Sequence, residues 1–276
     1  MNKQIATSLI APAKEQVKRA FPQYSELIDD TPVYLIPSRN ALKRRNEIAE
    51  ELGAPVKESF EDTAGETLIG SGAFAIVMLY DCIRDYDFTH FLLHEFGHVI
   101  SCYANTRLFA KVQADCDNDR DTTLTSASCL WSEFIAEAIA YRIEDAPPKQ
   151  LVFDEVDKME RLADEALCGK SFQSYPFAHF CAMFFEDPTV QDYLYDHQGA
   201  AIGMNHLDDD VMPLVKTAMD TLFKQIDKDE YWIIDEPDMR AIGECVDDLW
   251  EYCSNRRLVQ GLKALVSGVS KPSRKP

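Results

Sequence analysis

The chain has no apolar run approaching the roughly 18 residues that span a bilayer; the longest such stretch, around 73–80, has the length of a strand. No membrane partner is expected on that count. Basic residues are also scarce. The 28 Lys and Arg stand against 47 Asp and Glu, and a formal charge of −19 repels nucleic acid and anionic membranes, leaving neutral or basic partners. The eight cysteines include no C-x-x-C pair and lie mostly in apolar, helix-like surroundings. That usage suits buried thiols in a reducing compartment and points to the cytoplasm. Cys116 and Cys129 flank a loop and are the one pair open to a bridge. There is no internal repeat. Residues 1–13 carry one Lys and an A-x-A but lack a continuous apolar centre, so they read as a helix start rather than a signal peptide.

What is there is a chain of 276 residues, 46% of them hydrophobic, ample for one large globular unit or two lobes around a cleft. Spacing predicts an amphipathic helix over 12–28, a short strand over 31–36 and a helix over 39–52 that ends at Gly53 and Pro55. Residues 65–72 read as a turn-rich approach to a strand over 73–80, rich in β-branched and large apolar side chains. A helix capped by Asp85 or Asp87 follows and runs to about 104. Downstream, helices are expected over 130–144, 151–167, 173–185, 190–196, 211–226, 239–252 and 258–266, with a frayed polar tail over 268–276. The fold class is therefore α+β. A small mixed sheet falls in an N-terminal lobe (1–104), followed by a mainly helical lobe (105–267), the two forming a single catalytic unit. The oligomeric state is not legible.

The acidic stretch 115–121 resembles the start of a calcium loop. However, Arg120 stands where the EF-hand glycine belongs and Ser126 where its bidentate Glu belongs, so a solvated loop is the better reading.

Chemistry is named at His94-Glu95-Phe96-Gly97-His98, an H-E-x-x-H run. Apolar residues at 88, 91, 92, 96, 99, 100 and 103 recur at helical spacing, which puts the run on a half-buried helix. Positions i and i+4 share a helix face, so His94 and His98 can address one Zn2+ ion. Glu95 sits about 100° round the helix, placed to act as general base rather than ligand. His90 extends the histidine row by a turn. It cannot complete the same site, since i to i+8 spans about 12 Å, and it reads as a helix-start or cleft-wall residue.

A catalytic zinc needs a third protein ligand. A metzincin would have a glycine and a third histidine where this chain has Ser101 and Ala104, and no Glu-Gly-Cys segment precedes the helix to supply a deformylase-type cysteine. The strongest candidate lies in Trp131-Ser132-Glu133-Phe134-Ile135-Ala136-Glu137-Ala138-Ile139-Ala140-Tyr141. Glu133, Glu137 and Tyr141 share one helix face bordered by apolar residues, where two like charges need a positive partner such as the ion and its imidazoles. On an ordinary amphipathic helix the same acids would face solvent.

This H-E-x-x-H followed by a helix with spaced acids resembles the gluzincin branch of the zincin metallopeptidases, over about residues 73–141. The resemblance implies a zincin-like fold and makes Glu133 the third ligand. Glu137 becomes the carboxylate behind a ligand histidine, although its standing in place of the commoner aspartate leaves the two roles exchangeable. It also implies a Tyr or His on a later helix as oxyanion donor, for which Tyr175 and His179 are best placed by chain order, and a substrate-pairing edge strand before the metal helix, for which 73–79 is the candidate. A buried central strand is the equal alternative. The expected activity is zinc-dependent hydrolysis of peptide bonds in peptides or proteins. Two other classes stand beside it: a zinc-containing binding or regulatory protein without turnover, and a structural protein without metal. An intact Glu95 favours the enzyme.

Overall fold

The computed structural model describes residues 2–59, 64–83, 88–116, 122–144, 161–162, 165–167, 172–186, 211–226 and 228–269, with side chains along the last helix described to residue 255. It is an α+β structure, mostly helical, with one three-stranded mixed sheet. The chain divides into two compact units, Met1–Thr106 with Ile135–Pro147, and Arg107–Phe134 with Pro148–Pro276.

In the first unit, α1 (Lys3–Ala20) begins within residues 1–13, read as a helix start, where the Asn2 side chain caps it, Oδ1 accepting from the Gln4 N–H at 2.7 Å. It continues through Pro12, whose exposed position and the burial of Ala6, Ala13 and Val17 offset the lost backbone donor. The helix stops at Phe21, which precedes Pro22 and leaves the helical region (φ −130°, ψ 65°). The expected 12–28 helix is thus two elements, the second being α2 (Ser25–Asp30). Strand β1 (Val33–Ile36) leads to α3 (Ala41–Leu52), closed by Gly53 in the left-handed region (φ 72°), whose N–H reaches the Ala49 and Glu50 carbonyls.

Strands β2 (Gly65–Ile69) and β3 (Phe74–Leu79) form an antiparallel hairpin, and β1 pairs parallel to β3, giving the order β1-β3-β2. The apolar run expected as a possible edge strand is therefore the centre of the sheet, buried from Ala75 to Leu79. The edge beside it is β2, in the segment read from sequence as turn. Period-two alternation gives the sheet two faces. Leu68, Ala75, Val77 and Leu79 join Ile36 and the α3 residues Ile48 and Ala49 in one core. On the other face lies α4 (Phe88–Ala104), which packs on β2 and β3 and is backed by α1. Its expected caps, Asp85 and Asp87, lie outside the described residues. A buried Arg45 staples α3 to the sheet, its Nε and Nη2 meeting the Glu66 carboxylate at 3.0 and 2.8 Å and Nη1 donating to the Pro55 carbonyl at 2.5 Å.

The second unit contains most of α5 (Thr106–Cys116), the first half of α6 (Thr122–Glu144), α7 (Ser174–Glu186), α8 (Met212–Ile226) and α9 (Glu236–Val269). Helix α5 was not foreseen, and of the acidic loop the residues 117–121 lie outside the described ones. Gly243 lets α9 meet α6: a Cβ there would lie 2.4 Å from Thr123 Cγ2 and 2.8 Å from its carbonyl oxygen. Thr123 Oγ1 donates across this contact to Asp247 at 2.6 Å. Phe223 of α8 stacks between Phe134 and Phe185. The helices expected over 239–252 and 258–266 are one, since nothing in Cys253-Ser254-Asn255-Arg256-Arg257 breaks a helix. Those expected over 151–167 and 190–196 fall wholly or mostly outside the described residues. Cys82, Cys102, Cys129, Cys181, Cys245 and Cys253 are thiols; the side chain of Cys116, the other member of the pair open to a bridge, lies outside the described ones. Among the described residues no helix is long and apolar enough to cross a membrane.

Burial alone would raise the Glu66 pKa, but Arg45 and Lys57 outweigh it and hold the carboxyl below its ordinary value. Its ionised form therefore stabilises the fold above about pH 4.5, and this contribution is lost as pH falls through the lowered value. Replacing Glu66 by Ala leaves the Arg45 charge buried without a carboxylate, and should cost about 3 kcal/mol in urea unfolding at neutral pH. A loss below 1 kcal/mol would show that the Pro55 carbonyl suffices.

Candidate metal centre

Helix α4 is 17 residues long and almost wholly apolar where it meets the sheet, so its polar residues are held in place by packing. His94 and Glu95 are buried and His98 half-buried. The Nε2 atoms of His94 and His98 face each other at 3.0 Å. Tetrahedral zinc ligands about 2.0–2.1 Å from the ion lie about 3.3 Å apart, so the two nitrogens already stand close to ligand spacing.

The other nitrogen of His94 settles its tautomer. Nδ1 lies 2.8 Å from Glu137 Oε2, within the first unit, and a buried carboxylate there requires a proton on Nδ1. In the neutral ring the Nε2 lone pair is then turned to His98. This is the arrangement in which a ligand imidazole gives its remaining N–H to a carboxylate.

Glu137 can reach His94 because of Gly97. A Cβ at that position would fall 2.7 Å from Ala136 Cα and 2.9 Å from its carbonyl oxygen, so α4 and α6 are in backbone contact there. The variable fourth position of the motif is occupied by the one residue that admits this approach.

Glu137 is shared. Its Oε1 lies 3.0 Å from His90 Nε2, while His90 Nδ1 lies 3.0 Å from Glu144 Oε2 and the ring packs on Tyr141 at 5.0 Å. His90, read from sequence as a helix-start or cleft-wall residue, instead joins two carboxylates of α6. With an acid at each nitrogen the ring carries both protons. Burial would lower its pKa, but Glu137 and then Glu144 outweigh that and lift it to about 9. A chain His94-Glu137-His90-Glu144 results, alternating donor and acceptor.

Glu95 faces the sheet. Thr67 Oγ1 of β2 lies 2.7 Å from its Oε2 and 3.0 Å from its backbone oxygen. Gly65 lies beside Oε1, where an added Cβ would come within 2.9 Å. Sequence reading found neither residue, because nothing in a five-residue strand flanked by glycines announces contact with a helix that begins much later.

Glu133 lies one turn before Glu137 on α6, on the same face. Within the second unit its Oε2 is 4.0 Å from Nε2 of the buried His179, and the His179 ring packs at 4.3 Å on Tyr175, which is largely exposed. The structure thus brings His94, His98, Glu95 and Glu137 together in one unit and Glu133, His179 and Tyr175 together in the other. Two imidazoles and carboxylates form a donor set that suits zinc.

Comparison of the chain with protein-family models, with curated proteins and with solved structures finds no match in any of the three.

Two outcomes follow. His90 stabilises the fold while protonated, so its contribution is complete below its ordinary value of 6.5 and is lost as pH rises through about 9. Wild type should therefore lose stability between pH 7 and 9.5 in urea titrations more steeply than His90→Gln; parallel curves would remove the doubly protonated ring. Gly97→Ala should destabilise by about 2 kcal/mol in urea unfolding by forcing α4 from α6. An unchanged unfolding midpoint would show that the two helices do not depend on the close approach at that glycine.

Proposed function

We propose that the protein is a zinc-dependent peptidase of gluzincin-like type, hydrolysing peptide bonds in peptides or proteins. His94, His98 and Glu133 would hold Zn2+, Glu95 would act as general base, and Glu137 would orient His94. The observation that carries this reading is the pair of Nε2 atoms 3.0 Å apart on a motif whose first histidine is backed by a buried carboxylate. Zinc bound there would supply a Lewis acid and lower the pKa of its bound water toward about 7. Glu95 takes the proton of the attacking water and returns it to the leaving amine. Glu133 is preferred as third ligand because Glu137 already serves His94 and His90, and one turn of α6 offers the next carboxylate on the same face. His179, beside Glu133 at 4.0 Å, and its ring partner Tyr175 are the proposed oxyanion donors.

The substrate would lie along β2 rather than along the 73–79 strand. The Leu79 N–H donates to the Ala64 carbonyl and the Gly70 N–H to the Ala73 carbonyl, so the backbone groups at 64, 66, 68 and 70 turn toward β3. Those of Gly65, Thr67 and Ile69 turn outward, and among the described residues no strand pairs with that edge. An extended peptide can add there by backbone hydrogen bonds. A zincin-like fold and a cytoplasmic setting, the latter on cysteine usage, belong to the same proposal.

Wild type and Glu95→Gln should bind equal zinc by elemental analysis, with cleavage of a diverse peptide library lost only in the variant. Cleavage persisting in Glu95→Gln sinks the mechanism, and stoichiometric zinc without cleavage in wild type moves the protein to the zinc-binding regulatory class. Glu133→Ala should weaken zinc binding by at least about 10-fold; unchanged affinity would return the ligand role to Glu137.

A further inference from the structure

The edge strand does more than border the metal helix. Glu95 is buried, and β2 meets its carboxylate at two points: the Thr67 hydroxyl donates to Oε2 at 2.7 Å, and Gly65 lies beside Oε1, where an added Cβ would come within 2.9 Å. The Thr67 hydroxyl has one proton and two acceptors, the Glu95 carboxylate at 2.7 Å and the Glu95 backbone oxygen at 3.0 Å. The side-chain oxygen is the nearer of the two acceptors. Thr67 is also one of the three β2 residues whose backbone N–H and C=O point to the outer edge.

We propose that Thr67 is a positioning residue for Glu95, its hydroxyl fixing the base while its backbone presents the docking edge for an extended peptide. This rests on the peptidase reading. One residue then ties the alignment of the peptide backbone to the alignment of the base. The dependence arises because at this one position the side chain stands off the face of the sheet toward Glu95, while the N–H and C=O lie in its plane and point to the open edge. Gly65, on the same face, leaves the space that Oε1 takes: an added Cβ would press on it at 2.9 Å and on Met78 Sδ at 2.7 Å.

The test compares Thr67→Val, which keeps the shape and the strand preference but removes the donor, with Thr67→Ser, which keeps the donor. With zinc content equal to wild type, Thr67→Val should lower kcat by between about 10- and 100-fold with KM little changed, and Thr67→Ser should restore most of the loss. Equal kcat in Thr67→Val and wild type overturns the proposal, as does a loss in Thr67→Ser as large as that in Thr67→Val. A second measurement needs no turnover. In a double-mutant cycle of urea midpoints, Thr67→Val should destabilise the wild-type background more than the Glu95→Ala background. Additive effects mean that Thr67 does not hold Glu95, whatever the kinetics. A wild type that binds zinc but cleaves nothing sinks the peptidase reading, whereas the cycle still decides whether Thr67 fixes Glu95.

Discussion

One buried carboxylate organises the first unit. Glu137 accepts from His94 on one oxygen and from His90 on the other, at 2.8 and 3.0 Å, in the seam between α4 and α6. A carboxylate so enclosed is tolerable only with its lone pairs satisfied and a positive charge beside it. His90, protonated by its position between two acids, supplies that charge. The consequence for His94 is a fixed tautomer and a fixed ring plane, which leaves its Nε2 turned toward His98. Gly97 is the steric condition for this approach, because a Cβ there would fall 2.7 Å from Ala136 Cα.

The sheet has a parallel role for Glu95. Its centre, β3, is closed in by α3 on one side and α4 on the other, which makes β2 a firm edge rather than a loop. The Arg45–Glu66 pair anchors that edge from the α3 side. From the α4 side the same strand holds Glu95. Alternation along five residues thus divides the strand between stability and chemistry: Glu66 and Leu68 look toward α3, Gly65 and Thr67 toward the motif.

Much of this was readable from residue order. His94, Glu95 and His98 announce themselves by spacing, and Glu133 and Glu137 by the improbability of two acids on an apolar helix face. The α+β class and the approximate spans of α3, α4 and α7 follow from periodicity, and the end of α3 from Gly53. What could not be read depends on contacts between distant segments. β2 is too short for alternation to stand out, and its Gly65, which looks like a turn signal, stands where an added Cβ would crowd Met78 and Glu95. The place of 73–79 in the sheet is decided by which strands pair, a matter on which its own composition is silent. His90 carries a visible hint, the i−4 step from His94, but its meaning depends on Glu137 and Glu144. Pro12 misplaced the first helix because a capping asparagine and a buried stripe outweighed a local penalty.

The bonds from α4 to Glu137 and Glu144 join residues 43 to 54 positions apart in the chain. Helix α4 can form from its own local hydrogen bonds, but its histidines have no acid to bind until α6 arrives, and closing a loop of that length loses entropy before any of those contacts is made. In a growing polypeptide the imidazoles emerge first and wait. The ring order of His90 and His94 therefore waits on the docking of α6, whereas Glu95 takes its place from the nearer β2.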